Sequence, residues 1–292
     1  MLVIGSRGSQ LALWQARWVQ ARLAGLGIES RIEIIKTTGA KIAGVPLPSV
    51  GGKGLFTKEI EDALLARQVD LAVHSLKDLP TEVPAGLQIV AVPEREDPRD
   101  AIVGSTLREL RKGAKVGTSS LRRSSQLRRL RPDLVVESVR GNVDTRLRKL
   151  DEGQYEAIVL ATAGLTRLGL SGRITEALAP EVMCPAVGQG ALAIESRLGE
   201  NACQPLDDAG TRAAVTAERA TLSALGGGCS TPIGAYARVE GTRLQIRAIV
   251  LWGDGSEAVG DVAEGPASDA EQIGRRLGEK LLAGGAARLL GQ

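Results

Sequence analysis

Residues 56–78, FTKEIEDALLARQVDLAVHSLKD, decide the fold. Phe56, Ile60, Ala63 and Leu64 recur at the spacing of one helix face, which predicts a helix over about Phe56–Gln68. Asp70 to Val73 then reads as a short strand, and it opens at once into His74, Lys77 and Asp78. Helix and strand alternating in this way build open α/β sheets, and such sheets hold ligands beyond the carboxyl ends of their strands. The HSLKD stretch is therefore predicted to be an address for function.

The same rhythm extends in both directions. Upstream, a strand at Leu2–Gly5 precedes a helix at Gln10–Ala24, with Leu11, Trp14, Trp18 and Ala21 as its expected apolar face, and a strand at Arg31–Lys36. Residues 37–54, TTGAKIAGVPLPSVGGKG, are punctuated by glycine and proline and read as a long loop of the kind that forms lids. Downstream, PEREDPRD at 93–100 reads as a domain crossing. Strands follow near 101–103, 115–117, 134–138 and 157–160, with helices near 120–131 and 143–152. CPAVGQG at 184–190 marks a return crossing, and ALAIE at 191–195 a strand.

Beyond residue 209 the pattern changes. A helix over 211–225 ends in Gly226–Gly228, and three strands joined at Glu240-Gly241 and Asp254-Gly255 precede a last helix over 270–282. The predicted fold class is α/β with three domains. The first comprises 1–95 plus 189–208 and the second 96–188, joined by paired hinges about 93–98 and 184–190; an α+β domain spans 209–292 and carries Cys229.

Charge narrows the chemistry. Residues 116–149 hold nine Lys/Arg against three acids, a local +6 in a chain whose total is +3. No Phe, Tyr or Trp lies between Arg122 and Arg148. Guanidinium forks grip carboxylates and phosphates, whereas single-stranded nucleic acid calls for aromatic platforms. A small anionic ligand is expected, and no nucleic acid. One histidine in 292 residues rules out His-rich metal sites, and three cysteines without a CxxC pair argue against a disulfide framework or structural zinc. No metal is expected. No stretch approaches the length of a membrane span, and MLVIGSRGSQ lacks the form of a secretory signal, so a cytoplasmic protein is expected, with no membrane partner.

Three places carry candidate chemistry. Cys229 follows three glycines and precedes Ser-Thr-Pro, a mount for a presented thiol or simply a helix stop with a small buried side chain. Asp78 beside Lys77 suits a general acid/base or a salt-bridged loop end. Thr118, Ser119 and Ser120 lead into a predicted helix and would give an anion pocket or an ordinary N-cap. Arg128, Arg129 and Arg131 are expected to be mostly solvated surface charge. Besides an enzyme, a solute-binding protein for an anion and a basic nucleic-acid binder share some of these features.

Eight motifs occur in order: IGSRGSQLALWQA (4–16), GGKGLFTKEIE (51–61), VHSLKDLPT (73–81), EREDPRDA (94–101), VGTSSLRR (116–123), RGNVDTRL (140–147), PAVGQGA (185–191) and GGCSTPIGAY (227–236). Together they resemble the porphobilinogen deaminase (hydroxymethylbilane synthase) family nearly end to end. The resemblance implies two domains like those of periplasmic binding proteins and a third bearing the cofactor cysteine. It implies a dipyrromethane primer joined through a thioether to Cys229. It also implies addition of four porphobilinogen molecules with loss of ammonia, and hydrolytic release of linear hydroxymethylbilane for heme biosynthesis. The enzyme would be a monomer whose product passes to uroporphyrinogen III synthase.

Carried over position by position, the resemblance makes Asp78 the catalytic carboxylate, assisting protonation of the leaving amine and stabilising the azafulvenium cation. Cofactor contacts fall on Ser75, Lys77, Thr118, Ser119, Ser120, Arg122, Arg123, Arg140, Arg146 and Gln189, and substrate contacts on Arg7, Ser9, Lys53, Arg140, Arg146 and Arg167. Each pyrrole bears an acetate and a propionate, which gives the arginine surplus a use. The pattern departs at Ser49, where many relatives have lysine, at TTGA 37–40 in place of TxGD, and at Ser125, where some members have cysteine.

Overall fold

The structure is a computed structural model, and it describes residues 1–36, 57–227 and 231–291. Contacts divide the chain into two units, Met1–Arg95 with Ala191–Arg212, and Glu96–Gly190 with Ala213–Gln292.

The first unit is built on β1 (Leu2–Ser6), α1 (Gln10–Gly25), β2 (Ser30–Ile34), α2 (Lys58–Leu65), β3 (Leu71–Ser75) and β4 (Leu87–Ala91). Its sheet runs β2-β1-β3, then a strand from the return passage (Leu192–Arg197), then β4. β1 pairs in parallel with both β2 and β3, while the return strand is antiparallel to β3 and β4. Apolar side chains from α1, β1, β3 and the return strand close the core: Ile4, Val19, Leu23, Leu71, Val73 and Ile194. The predicted face of α1 is displaced. Ala12, Gln15, Ala16, Val19 and Leu23 are buried, while Leu11, Trp14 and Trp18 are half-exposed and Ala21 exposed. Small residues allow the helix to approach the sheet, and Trp18, half-exposed, packs against this core from its margin.

The second unit repeats the plan with β5 (Asp100–Val103), β6 (Lys115–Gly117), α3 (Leu121–Leu130), β7 (Val135–Glu137), α4 (Val143–Asp151), β8 (Ala157–Ala161), α5 (Thr162–Arg167) and β9 (Glu176–Leu178). The order is β7-β6-β8-β5-β9, with β6 parallel to β7 and β8, and β5 antiparallel to β8 and β9. The return strand of the first unit is β10. In both units three parallel strands meet an antiparallel strand that adjoins a chain crossing. β4, α5 and β9 were not anticipated from sequence: β4 and β9 are short and sit at sheet edges, where periodicity is weakest.

The second unit also holds a separate antiparallel sheet, β11 (Ile233–Glu240), β12 (Arg243–Leu251) and β13 (Ala258–Pro266), packed with α6 (Ala209–Ala224) and α7 (Ala270–Leu281). Leu225, Ala235, Leu244, Ile246, Leu277 and Leu281 form its core. The turn between β12 and β13 seats on α3. Gly255 has φ +81, and a Cβ there would meet Ser125 O at 2.3 Å, so glycine is required. Ser125 itself, wholly buried, donates from Oγ to Gly253 O at 2.9 Å.

Candidate functional site

Parallel strands bring their carboxyl ends to one edge of a sheet. In the first unit β1 ends at Ser6, so Arg7 and Ser9 follow it, and β3 ends at Ser75, so Lys77 and Asp78 follow it in a single 3₁₀ turn, Leu76–Asp78. Arg7, Ser9, Gln15, Thr57, His74, Ser75 and Asp78 line one small cavity of about 60 Å³. Ser9 caps α1, its side chain accepting from Ala12 N. Gln15, 2% exposed, donates from Nε2 to Ser75 Oγ at 2.8 Å and so fixes the residue three before Asp78. The Asp78 carboxylate is exposed.

His74 is not beyond the strand as expected but inside it, buried at 5%, with Nε2 3.2 Å from Glu195 Oε2. Glu195 is wholly buried on β10. Glu61, on the adjoining α2, is buried as well, and burial pushes its carboxyl up, with the Glu195 charge adding to the effect.

In the second unit Thr118, Ser119 and Ser120 follow β6 and enter α3, Arg140 follows β7, Arg146 stands on α4 after β7, and Arg167 ends α5 after β8. Ser120 is the helix cap, its side chain accepting from Arg123 N, and Thr118 Oγ1 accepts from Ser120 N at 3.2 Å. Ser119 Oγ donates to Val139 O at 2.6 Å.

The centre of this edge is Asp100, the first residue of β5, with no solvent exposure. Arg122 donates from Nη1 to Asp100 Oδ2 at 2.6 Å and also to Cys184 O at 2.6 Å. Arg123 donates from Nε to Asp100 Oδ1 at 2.8 Å and from Nη1 to Val159 O at 3.1 Å. Gln189 Nε2 donates to Asp100 Oδ1 at 2.9 Å and to Pro98 O at 2.7 Å. Burial acts to raise the Asp100 carboxyl, but the Arg122 and Arg123 charges outweigh it and hold the group well below the usual carboxylate range.

Two arginines meet one carboxylate, so the cluster keeps a positive surplus. Arg146 feels it: burial, with the Arg123 charge adding, lowers its guanidinium to about 10, and burial likewise lowers Arg167 to about 10. Both remain charged at neutral pH. Arg146 donates from Nε to Gly141 O at 2.8 Å, Arg167 from Nη2 to Gly190 O at 2.7 Å. Among the described residues neither Arg140 nor Arg146 pairs with a carboxylate. Donors at charge surplus suit a group that carries carboxylates.

Structure thus gathers Arg7, Ser9, Ser75, Lys77 and Asp78 at one sheet edge and Thr118–Ser120, Arg122, Arg123, Arg140, Arg146, Arg167 and Gln189 at the other. Lys53 and Cys229 lie outside the described residues, as do Ser49 and the TTGA stretch. Sequence reasoning missed Asp100, Gln15 and the buried partners of His74. Asp100 had a signal, since an acid opening the apolar strand DAIV needs buried cations. Arg131, expected as solvated charge, instead clamps Asp133 through Nε and Nη2 and the carbonyls of Leu107 and Leu110. Among the described residues no cluster of His, Cys, Asp or Glu could hold a metal ion, and no helix is long and apolar enough to cross a membrane.

Two sheets of this topology, each carrying polar side chains at the carboxyl ends of its parallel strands, with an exposed carboxylate on one and excess guanidinium on the other, are the arrangement of an α/β protein suited to anionic small molecules. Residues 2–205 match the family model "Porphobilinogen deaminase, dipyromethane cofactor binding domain", and residues 212–283 match "Porphobilinogen deaminase, C-terminal domain". The chain is 50% identical over 98% of its length to the porphobilinogen deaminase of Syntrophobacter fumaroxidans, covering 96% of that protein. It is 49% identical over its whole length to that of Geobacter sulfurreducens, covering 94%. Among solved structures, a periplasmic substrate-binding protein of an ABC transporter from Coxiella burnetii is 12% identical, covers 70% of this chain and 90% of its own, and gives a TM-score of 0.44. The chain belongs to the porphobilinogen deaminase family.

Proposed function

We propose that this protein is a transferase that condenses porphobilinogen head to tail on a dipyrromethane primer and releases linear hydroxymethylbilane by hydrolysis. The primer is held by a thioether to Cys229. When bound, the dipyrromethane supplies the pyrrole carbon on which the chain grows. The observation that carries this reading is the cationic edge of the second unit, where Arg146 and Arg140 have no carboxylate partner among the described residues beside the net-positive Asp100 cluster.

Within that reading each candidate residue has a task. Asp78, exposed at the end of β3 and fixed by its 3₁₀ turn, gives a proton to the leaving amine, bonds pyrrole N–H groups and faces the developing cation. Lys77, Ser75, Thr118, Ser119, Ser120, Arg140 and Arg146 grip the carboxylates of the primer, with Arg122, Arg123 and Gln189 forming the floor through Asp100. Arg7, Ser9, Lys53 and Arg167, with Arg140 and Arg146, receive the acetate and propionate of the substrate. Guanidinium recognises both in two-pronged fashion. The division into 1–95 with 189–208, 96–188 and 209–292 follows the three sheets, each with its own core. The protein acts as a monomer in the cytoplasm and hands its product to uroporphyrinogen III synthase.

An intact mass tests the proposal. The purified protein is expected to exceed its polypeptide mass by two pyrrole units and to colour with an aldehyde reagent for pyrroles; both should vanish in Cys229→Ala. A protein of bare polypeptide mass that still turns over porphobilinogen would refute it.

A further inference from the structure

Four buried polar atoms in the first unit, Glu61 Oε1, His74 Nε2 and both Glu195 oxygens, have no aligned hydrogen-bond partner among the described residues. They belong to three neighbouring elements, α2, β3 and β10. His74 Nε2 stands 3.2 Å from Glu195 Oε2, an ion-pair contact rather than an aligned hydrogen bond. On β10 Glu195 is opposite Ala72 and Ala193 is opposite His74, so the ion pair runs diagonally across β3 and β10, and its His74 end stands one residue before Ser75, where β3 passes into the turn that carries Asp78. His74 and Thr57 also line the cavity that Arg7 and Asp78 line.

We propose that Glu61, His74 and Glu195 act as one electrically neutral unit, with Glu61 in the acid form and a His74 imidazolium against the Glu195 carboxylate, and that this unit positions the Asp78 turn. A carboxylate with no exposure and no aligned donor among the described residues needs a cation against it to stay charged, and the His74 imidazole stands 3.2 Å away. A second charged carboxylate in the same volume would be repelled by the first, which leaves Glu61 neutral. Burial pushes the Glu61 carboxyl up, with Glu195 and Asp62 adding to it, and outweighs the Thr57 side chain and the His74 charge, which act the other way. Of the other charged groups near the unit, Glu59 stands on α2, and Arg7 and Asp78 line the cavity that His74 lines. A neutral wall suits a site where one carboxylate must be the negative group that meets a cation.

His74 is the one histidine of the chain, so an imidazole ¹⁵N spectrum of the full-length protein reports it without ambiguity. Both ring nitrogens are expected to be protonated at neutral pH, and Glu195→Gln is expected to leave the ring neutral. A neutral ring in the unaltered protein overturns the proposal. Glu61→Gln mimics the acid form and should keep both the imidazolium and kcat within about twofold; a neutral ring or a loss of about tenfold overturns the assignment to Glu61. His74→Phe should lower kcat at least about tenfold with KM within about threefold, and the double variant His74→Gln with Glu195→Gln, which removes both charges, should recover most of it. Equal losses in His74→Phe and the double variant overturn the coupling. Should His74→Phe fail to fold, the spectra of the unaltered and Glu61→Gln proteins still decide. The turnover arm rests on the proposed role of Asp78 and the spectra do not: an active Asp78→Asn with a protonated ring sinks the site assignment and leaves the unit standing.

Discussion

At the scale of single residues, Asp100 and Asp78 are opposite uses of one side chain. Asp100 is sealed from water and surrounded by Arg122, Arg123 and Gln189. Removing its charge would leave two buried cations unpaired, so Asp100→Asn is expected to cost about 3–5 kcal/mol in urea unfolding. Its folded carboxyl is held below the ordinary range, so its contribution is complete above the unfolded value and is lost as pH falls through the folded one. The stability gap between the unaltered protein and Asp100→Asn should therefore narrow as pH drops below about 4. A gap that is constant from neutral to acid pH would contradict this. Asp78, in contrast, is exposed and makes no such framework. Asp78→Asn should leave unfolding midpoints unchanged while kcat falls by about 10²–10⁴, and full activity would contradict its role.

Elements set where those residues can stand. Gly190, at the return crossing, has φ +88, and a Cβ there would lie 2.3 Å from Glu96 O of the outgoing crossing. The two backbones touch because no side chain intervenes, and Glu96 N donates to Gly190 O at 3.2 Å. Gly190→Ala is expected to lower stability by at least about 1–3 kcal/mol and to disturb Arg167, which donates to the same carbonyl. Thermal unfolding together with KM for porphobilinogen would show both effects. For α1, the displaced face makes a contrasting prediction: Leu23→Ala should cost about 2–5 kcal/mol, and Arg17→Ala, on the exposed side, less than about 0.5. Helical spacing alone put Leu11, Trp14 and Trp18 against the sheet. Full burial went instead to Ala12, Gln15, Ala16, Val19 and Leu23, with Trp18 half-exposed and packed against that core.

Over the whole molecule, the cysteines separate cleanly. Cys184 and Cys203 are buried, and burial pushes each thiol up to about 12. Neither should react with a thiol reagent in the native protein. A native sample carrying the primer should take up none, whereas a primer-free sample should take up one equivalent, at Cys229; titration of a second thiol before unfolding would contradict the burial.

The α/β alternation, the crossings near 95 and 190, the antiparallel sheet after 230 and the motifs containing Asp78, Arg146 and Cys229 were all legible in the linear chain, because turn chemistry, periodicity and residue type are local properties. What folding alone decided is which charges cancel. Asp100 meets Arg122, Arg123 and Gln189 across separations of 22, 23 and 89 residues, and His74 meets Glu195 from another strand. No local rule relates such positions, since their partnership depends on strand order and register. The arginines that a composition count makes equal therefore divide, by burial and pairing, into those bound to Asp100 and those, such as Arg140 and Arg146, with no carboxylate partner among the described residues.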